Sequence, residues 1–255
     1  MSSPAAITLY DLLGGPGDRP GLPTNLTVPN PWKVRYALNY KGLDHRTKFV
    51  DFPDLQGTRE RLGVKTIAKL PDGSPHYTVP VLEDESTGKV LGDSFDTAVY
   101  LDKNYPDGPP LFPNNSYGII KAFNDYVSGT LLHSVARLAL DKIPLNPETA
   151  EGTRAMYAAR FGVPKLQDLF LSPTERVESL KTLETNFAKL AAYFETTSGP
   201  FMFGGEFPTY ADFIVGGHLM FIQCAVEEWD QILTWNGGIW GRLHGALAPW
   251  REVKE

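Results

Sequence analysis

The sequence of 255 residues has a single cysteine, Cys224, which excludes a disulfide framework and a cysteine-rich metal site. No apolar run approaches the roughly 18 residues of a membrane span. The opening Met1-Ser2-Ser3-Pro4-Ala5-Ala6 has neither a basic segment nor an apolar core, so no secretory signal is read there. Basic charge is in deficit. Against 30 Asp and Glu stand 24 Lys and Arg, a net charge of −6, with no long basic run. Nucleic acid and anionic membranes are therefore not expected as partners, and no metal is expected. These absences leave a cytoplasmic, reducing compartment as the expected location. What is present is ordinary for a globular chain: 42% hydrophobic and 21% charged residues, enough for one large domain or two modest ones.

The first hundred residues alternate element types. A strand is predicted over 6–12, followed by a Gly- and Pro-rich loop at 14–21. Asn30-Pro31 supplies an N-cap residue and a first-turn proline for a helix that Gly42 ends. Strand character returns over 45–52, and a polar, Gly- and Pro-bearing stretch leads to an apolar run over 77–82, interrupted by Pro80. A turn at 83–88 and a returning strand at 89–91 complete a hairpin. Ser94 is expected to cap a helix bearing Phe95, Ala98 and Val99. Beyond Pro110 only helical periods remain. Ile119, Phe123, Val127, Leu131 and Leu138 mark one long helix, and a softer one lies near Met156 and Phe161. Ser172-Pro173-Thr174-Glu175 is a capping box opening another. The fold class is therefore an α/β unit followed by an all-α unit, with a linker over 105–113 and no internal repeat.

Pro80 is the sharpest oddity. Proline removes a ladder donor, so inside an apparent strand it marks an edge, a bulge or a cis turn at the strand end. Thr209 and Asp212, behind Gly204-Gly205-Glu206-Phe207-Pro208, form a second helix cap, read as structural.

Together these residues carry a resemblance. Tyr10, Pro29-Asn30-Pro31-Trp32-Lys33, Asp72-Gly73-Ser74-Pro75-His76-Tyr77-Thr78-Val79-Pro80-Val81 and Gly92-Asp93-Ser94-Phe95 resemble the glutathione-binding half of a glutathione transferase. The Pro208-Thr209-Tyr210-Ala211-Asp212 string resembles that family's helical half. Asn39-Tyr40-Lys41-Gly42-Leu43 and Phe52-Pro53-Asp54 are most similar to the fungal etherase-related (Fua) class. The resemblance implies a thioredoxin-like domain over 1–106 and a helical-bundle domain over 114–255. It implies a cis Val79-Pro80 bond, with the Val79 backbone binding the cysteinyl part of glutathione and Asp93 and Ser94 its γ-glutamyl end. It also places Lys69 and His76 at the glycyl carboxylate. Plain readings stand beside these: Ser94 as a cap, Asp93 as a solvated charge, His76 as a strand-edge residue.

One departure from the family pattern matters. Relatives place Ser directly before the proline corresponding to Pro29, where its hydroxyl donates to the glutathione thiolate. Here that residue is Val28, which cannot donate. The remaining candidate catalytic groups are Asn30, Thr27, Asn25 and backbone N–H groups at the helix start, with Asn30 also the natural cap. For the second substrate, a hydrophobic aromatic compound, the helical-side candidates are Tyr117, Phe123, Tyr126, Phe221 and Cys224, each of which also reads as core. The implied activity is glutathione conjugation or thiolytic ether cleavage by a detoxifying homodimer. The alternatives are a ligandin-type binder of aromatic compounds with little turnover, and a structural module reusing the fold.

Overall fold

The computed structural model describes residues 6–16, 28–65, 69–70 and 73–255. Thr27 and Asn25 lie outside the described residues.

The first half is a four-stranded mixed sheet. β1 (Ile7–Leu12) is buried along its whole length, as a central strand must be when helices and sheet neighbours cover it. It pairs in parallel with β2 (His45–Val50), Ile7 opposite His45. On its other side it pairs antiparallel with β3 (Val81–Asp84), which turns back into β4 (Lys89–Leu91). The order is β2-β1-β3-β4. The apolar run predicted over 77–82 enters the sheet only at Val81. Pro80 therefore sits just outside the ladder, where its missing N–H removes no sheet bond.

α1 (Pro29–Tyr40) follows β1, and α2 (Leu55–Arg61) follows β2. The seven-residue α2 falls in a stretch predicted only as polar connection. With Gly57 inside it and Leu55 as its one buried apolar residue, it has almost no periodic signal. α3 (Ser94–Asn104) follows the hairpin. Its cap is Asp93 rather than Ser94: Asp93 Oδ1 accepts from the N–H groups of Phe95 at 2.8 Å and Asp96 at 3.0 Å. Likewise α1 is capped by Val28 without a side-chain bond, so Asn30 lies inside the first turn and is not its N-cap.

The second half is helical throughout its regular elements. α4 (Tyr117–Ala139) and α6 (Pro173–Phe194) are the long helices, with α5 (Ala150–Arg160) between them. Ser172 and Glu175 cap α6 reciprocally, as their spacing predicts. α7 (Tyr210–Ala225) is buried along most of its length. It lies on α1 through Gly217, where a Cβ would sit 2.6 Å from the Pro29 carbonyl oxygen. Short α8 (Trp229–Ile232) and α9 (Trp235–Ala246) close the bundle, with Trp240 packed against Phe187 and Phe194. The tail then returns to the first half: Asn39 Nδ2 donates to the carbonyls of Trp250 and Glu252, and Thr47 N–H donates to Lys254. No described helix is long and apolar enough to cross a membrane.

The start of α7 is held by Asp212, whose carboxylate accepts from Thr209 N–H at 2.7 Å, Thr209 Oγ1 at 3.0 Å and Met202 N–H at 2.8 Å. Thr209→Val removes only the hydroxyl bond. A loss of about 1 kcal/mol, or about 2–4 °C in melting temperature, is expected in a thermal melt.

Candidate functional site

Two connections bind the halves across a cleft. Gly15 N–H donates to the Pro144 carbonyl at 2.9 Å, and Gly14 forms a bridge with Leu145. Asp51 Oδ2 accepts from Asn146 Nδ2 and Thr149 Oγ1, both at 2.8 Å, while Phe52 stacks on Tyr157 with centroids 4.6 Å apart. The α4–α5 connection is thus fastened to the sheet domain on both sides of the α1 start.

Beneath it lies a cavity of about 220 Å³. Its sheet-side wall is Leu12, Val28, Pro29, Asn30, Phe52, Leu55 and the chain from His76 to Val79. Its helical wall is Leu132, Ala136, Leu140, Ile143, Tyr157, Arg160, Phe161 and Phe221. A second hollow of about 430 Å³ adjoins it, sharing Phe52, Leu55, His76, Tyr77 and Arg160. A wider groove of about 730 Å³ lies elsewhere, beside Tyr40, Phe207 and Trp250, and none of the expected site residues borders it.

The structure therefore brings Asn30, His76, Val79 and Phe221 around one space, and the Val79-Pro80 bond is cis. Lys69, which is exposed, bridges to Pro75 beside His76. Tyr117, Phe123, Tyr126 and Cys224 do not line the cavity. Tyr117 stacks on Phe112 and donates to Asp102, and Phe123 and Tyr126 meet Tyr193 edge-on. Cys224 is half-buried near the end of α7. The first half of α4 is instead drawn onto α1: the buried Lys33 Nζ donates to Asn124 Oδ1 at 3.1 Å. Burial lowers the Lys33 ammonium to about 8, against the pull of Asp93 and Asp125. It is the far half of α4, with α5, that faces the cavity.

At the α1 start the donor supply is narrow. The first N–H groups of a helix have no internal partner, but prolines at positions 29 and 31 remove two of them. That leaves the N–H groups of Val28 and Asn30 and the Asn30 amide, which has no hydrogen-bond partner among the described residues. No acidic residue offsets the positive end of the helix in its first turn. At the α3 start, Asp93 already takes the Phe95 and Asp96 N–H groups. The Ser94 N–H and hydroxyl are left without a partner among the described residues, in a residue 6% exposed.

Arg59 connects these pieces, and no pattern in the sequence marks it. The side chain is buried, and Nη1 donates to the Thr78 carbonyl at 2.6 Å and the Gly92 carbonyl at 3.4 Å, while Nη2 reaches Lys65 at 3.3 Å. It thereby ties the residue before Val79 to the residue before Asp93. The fit is close: a Cβ on Gly92 would sit 2.4 Å from Arg59 Nη2. On the cavity side, Arg160 contacts the His76 ring, and burial together with the Arg160 and Arg59 guanidinia lowers His76 to about 4. His76 is neutral at pH 7. Among the described residues no cluster of His, Cys, Asp and Glu is arranged to hold a metal ion.

Comparison with known proteins places both halves of the chain in one family. Residues 28–104 match the family described as "Glutathione S-transferase, N-terminal domain", and residues 118–250 match "Glutathione S-transferase, C-terminal domain". The chain is 30% identical to the glutathione S-transferase-like protein ustS of Aspergillus flavus, over 88% of this chain and 84% of that protein. A glutathione S-transferase of Ceriporiopsis subvermispora, solved in complex with glutathione, is 29% identical with a TM-score of 0.87, covering 98% of this chain and 99% of its own. GSTFuA2 of Phanerochaete chrysosporium is 31% identical with a TM-score of 0.84, covering 99% and 100%.

Proposed function

The chain belongs to the glutathione S-transferase family, and on that premise we propose that it joins glutathione to hydrophobic aromatic or phenolic electrophiles in a detoxifying role. The observation that carries this reading is one cavity bounded by the α1 start, the loop bearing Val79 and an apolar wall from α4, α5 and α7. In the proposed division of labour, residues 1–106 hold glutathione and 114–255 supply the second-substrate wall. The Val79 backbone takes the cysteinyl part. Ser94, whose N–H and hydroxyl at a helix start have no partner among the described residues, takes the γ-glutamyl carboxylate beside Asp93. Lys69 and His76 stand at the glycyl end.

In the reaction the thiol first loses its proton to solvent, since only the thiolate is nucleophilic. Asn30 and the N–H groups of the α1 start would hold the sulfur anion. The thiolate then forms a carbon–sulfur bond at the electron-poor carbon, and the bond to the leaving group breaks with its electron pair. In ether cleavage the phenolate leaves and takes up a proton from water. Holding both partners in one closed site supplies the proximity. The protein acts as a cytoplasmic homodimer in this reading.

Val28 favours a second reading, a ligandin-type binder with little turnover, because binding survives the loss of a thiol activator. One pair of measurements separates the two. Glutathione at 100 times its dissociation constant should stabilise the fold by about 2.7 kcal/mol, raising the melting temperature by about 5–10 °C. Turnover of an aryl ether or a chloronitrobenzene then decides for the enzyme, and a thermal shift without turnover decides for the binder. No thermal shift would remove both.

A further inference from the structure

Arg160 closes α5 and turns its guanidinium into the cavity between domains, beside the Tyr157 and Phe161 rings. Three other arginines that are buried or largely buried are answered by acceptors. Arg35 is paired with Asp11 at 2.9 Å, Arg176 with Glu228 at 2.7 Å, and Arg59 with backbone carbonyls. Arg160 has only the ring nitrogens of a neutral histidine, His76, and no carboxylate among the described residues approaches it. A half-buried guanidinium that no carboxylate among the described residues answers, in a largely apolar hollow, suits a planar anion: its fork of donors matches a carboxylate with two parallel bonds. Aromatic residues line the same cavity. Phe52 and Tyr157 stack at 4.6 Å, and Tyr157 and Phe161 lie parallel at 6.4 Å.

We propose that Arg160 is the carboxylate anchor of the second-substrate pocket, and that the electrophile this protein accepts best is an aromatic acid. The inference rests on the glutathione transferase reading and specifies its second substrate. Arg160 is supplied by the helical domain, on the face with Tyr157 and Phe161, whereas the groups assigned to glutathione come from the sheet domain. His76 holds the guanidinium in place from across the cleft.

The test compares 4-chloro-3,5-dinitrobenzoate with its methyl ester. In both, the thiolate displaces chloride at the same ring carbon, which leaves with the electron pair, so the two differ only in the carboxyl group. The ratio of kcat/KM for acid over ester is measured for the wild type, Arg160→Gln and Arg160→Lys. Intrinsic reactivity cancels when the ratios are compared between proteins. Arg160→Gln should lower the ratio by about 10- to 100-fold, through KM for the acid, the scale of a charge-assisted hydrogen bond. Arg160→Lys should recover part of it. An unchanged ratio overturns the proposal. So does a rise in KM for glutathione but not for γ-glutamylcysteine, since the guanidinium would then serve the glycyl carboxylate. If the wild type turns over neither compound, the transferase reading has failed by itself. Quenching of tryptophan fluorescence by the free acid then still decides for Arg160: weaker binding to Arg160→Gln supports the anchor, and equal binding overturns it.

Discussion

Val28→Ser should lower the pKa of bound glutathione by about one to two units and raise conjugation at neutral pH by a similar number of decades at most. The substitution puts a hydroxyl at the cap of α1, where the structure has no side-chain cap and no acidic residue in the first turn. A hydrogen bond to a charged group contributes about 1.5–3 kcal/mol, and 1.36 kcal/mol is one pKa unit. Part of that bond replaces water, which sets the lower end of the range. The sign is fixed by which form the hydroxyl favours. It donates to the thiolate, so the bound thiol ionises at lower pH and the thiolate fraction at pH 7 rises. Asn30→Ala should shift the pKa the other way, since prolines 29 and 31 leave the α1 start few other donors. Ultraviolet absorbance of the bound thiolate against pH measures all three proteins. If Val28→Ser leaves the profile in place, the sulfur does not lie at the α1 start.

Arg59→Met should do more damage than any substitution of a residue that touches glutathione. Methionine retains much of the aliphatic stem but leaves the half-buried Thr78 and Gly92 carbonyls without their donor. A buried acceptor left short costs about 1–3 kcal/mol and water answers half-buried ones in part, so a loss of about 2–4 kcal/mol and a fall of about 4–16 °C in melting temperature are expected. The loop carrying Val79 and the start of α3 are also no longer tied to each other, and glutathione affinity should fall more than tenfold. Arg59→Lys keeps the charge but offers one ammonium where a fork spans the gap, so it should recover less affinity than stability. Affinity is measured well below the melting point of each variant. Wild-type affinity in a folded Arg59→Met protein would show that Arg59 is structural only.

The elements that were legible in the sequence are those with a strong local signature. The Ser172–Glu175 box and the long apolar periods of α4 and α6 place those helices directly. The family pattern drew attention to Val79-Pro80 and Asp93-Ser94. Other features had no such signature. Leu132, Ala136 and Leu140 line the cavity, yet along α4 they repeat at the same helical spacing as the core positions, so the sequence does not say which half of a 23-residue helix meets the cleft. Aromatic residues at its start, Tyr117 and Phe123, were the more visible choice, and packing onto α1 and α3 draws that half elsewhere. Arg59 sits in a short helix that contains Gly57, and its partners are backbone carbonyls that no side-chain pattern announces. Arg160 draws its place in the site from His76, 84 residues away in sequence. The capping roles were misplaced by one or two residues for a local reason: Asp93 reaches two N–H groups ahead of it, and Pro29 starts α1 before Asn30 can cap it.

The most direct test of the glutathione site is calorimetric titration of the wild type and of Ser94→Ala with glutathione. The hydroxyl of Ser94 has no other partner among the described residues, so its removal should leave the fold intact while weakening binding by about 10- to 100-fold, the range of a hydrogen bond to a carboxylate. One glutathione per chain with that loss is the expected result. No binding to the wild type, or equal affinity in the two proteins, would contradict the placement of glutathione between Val79 and the start of α3.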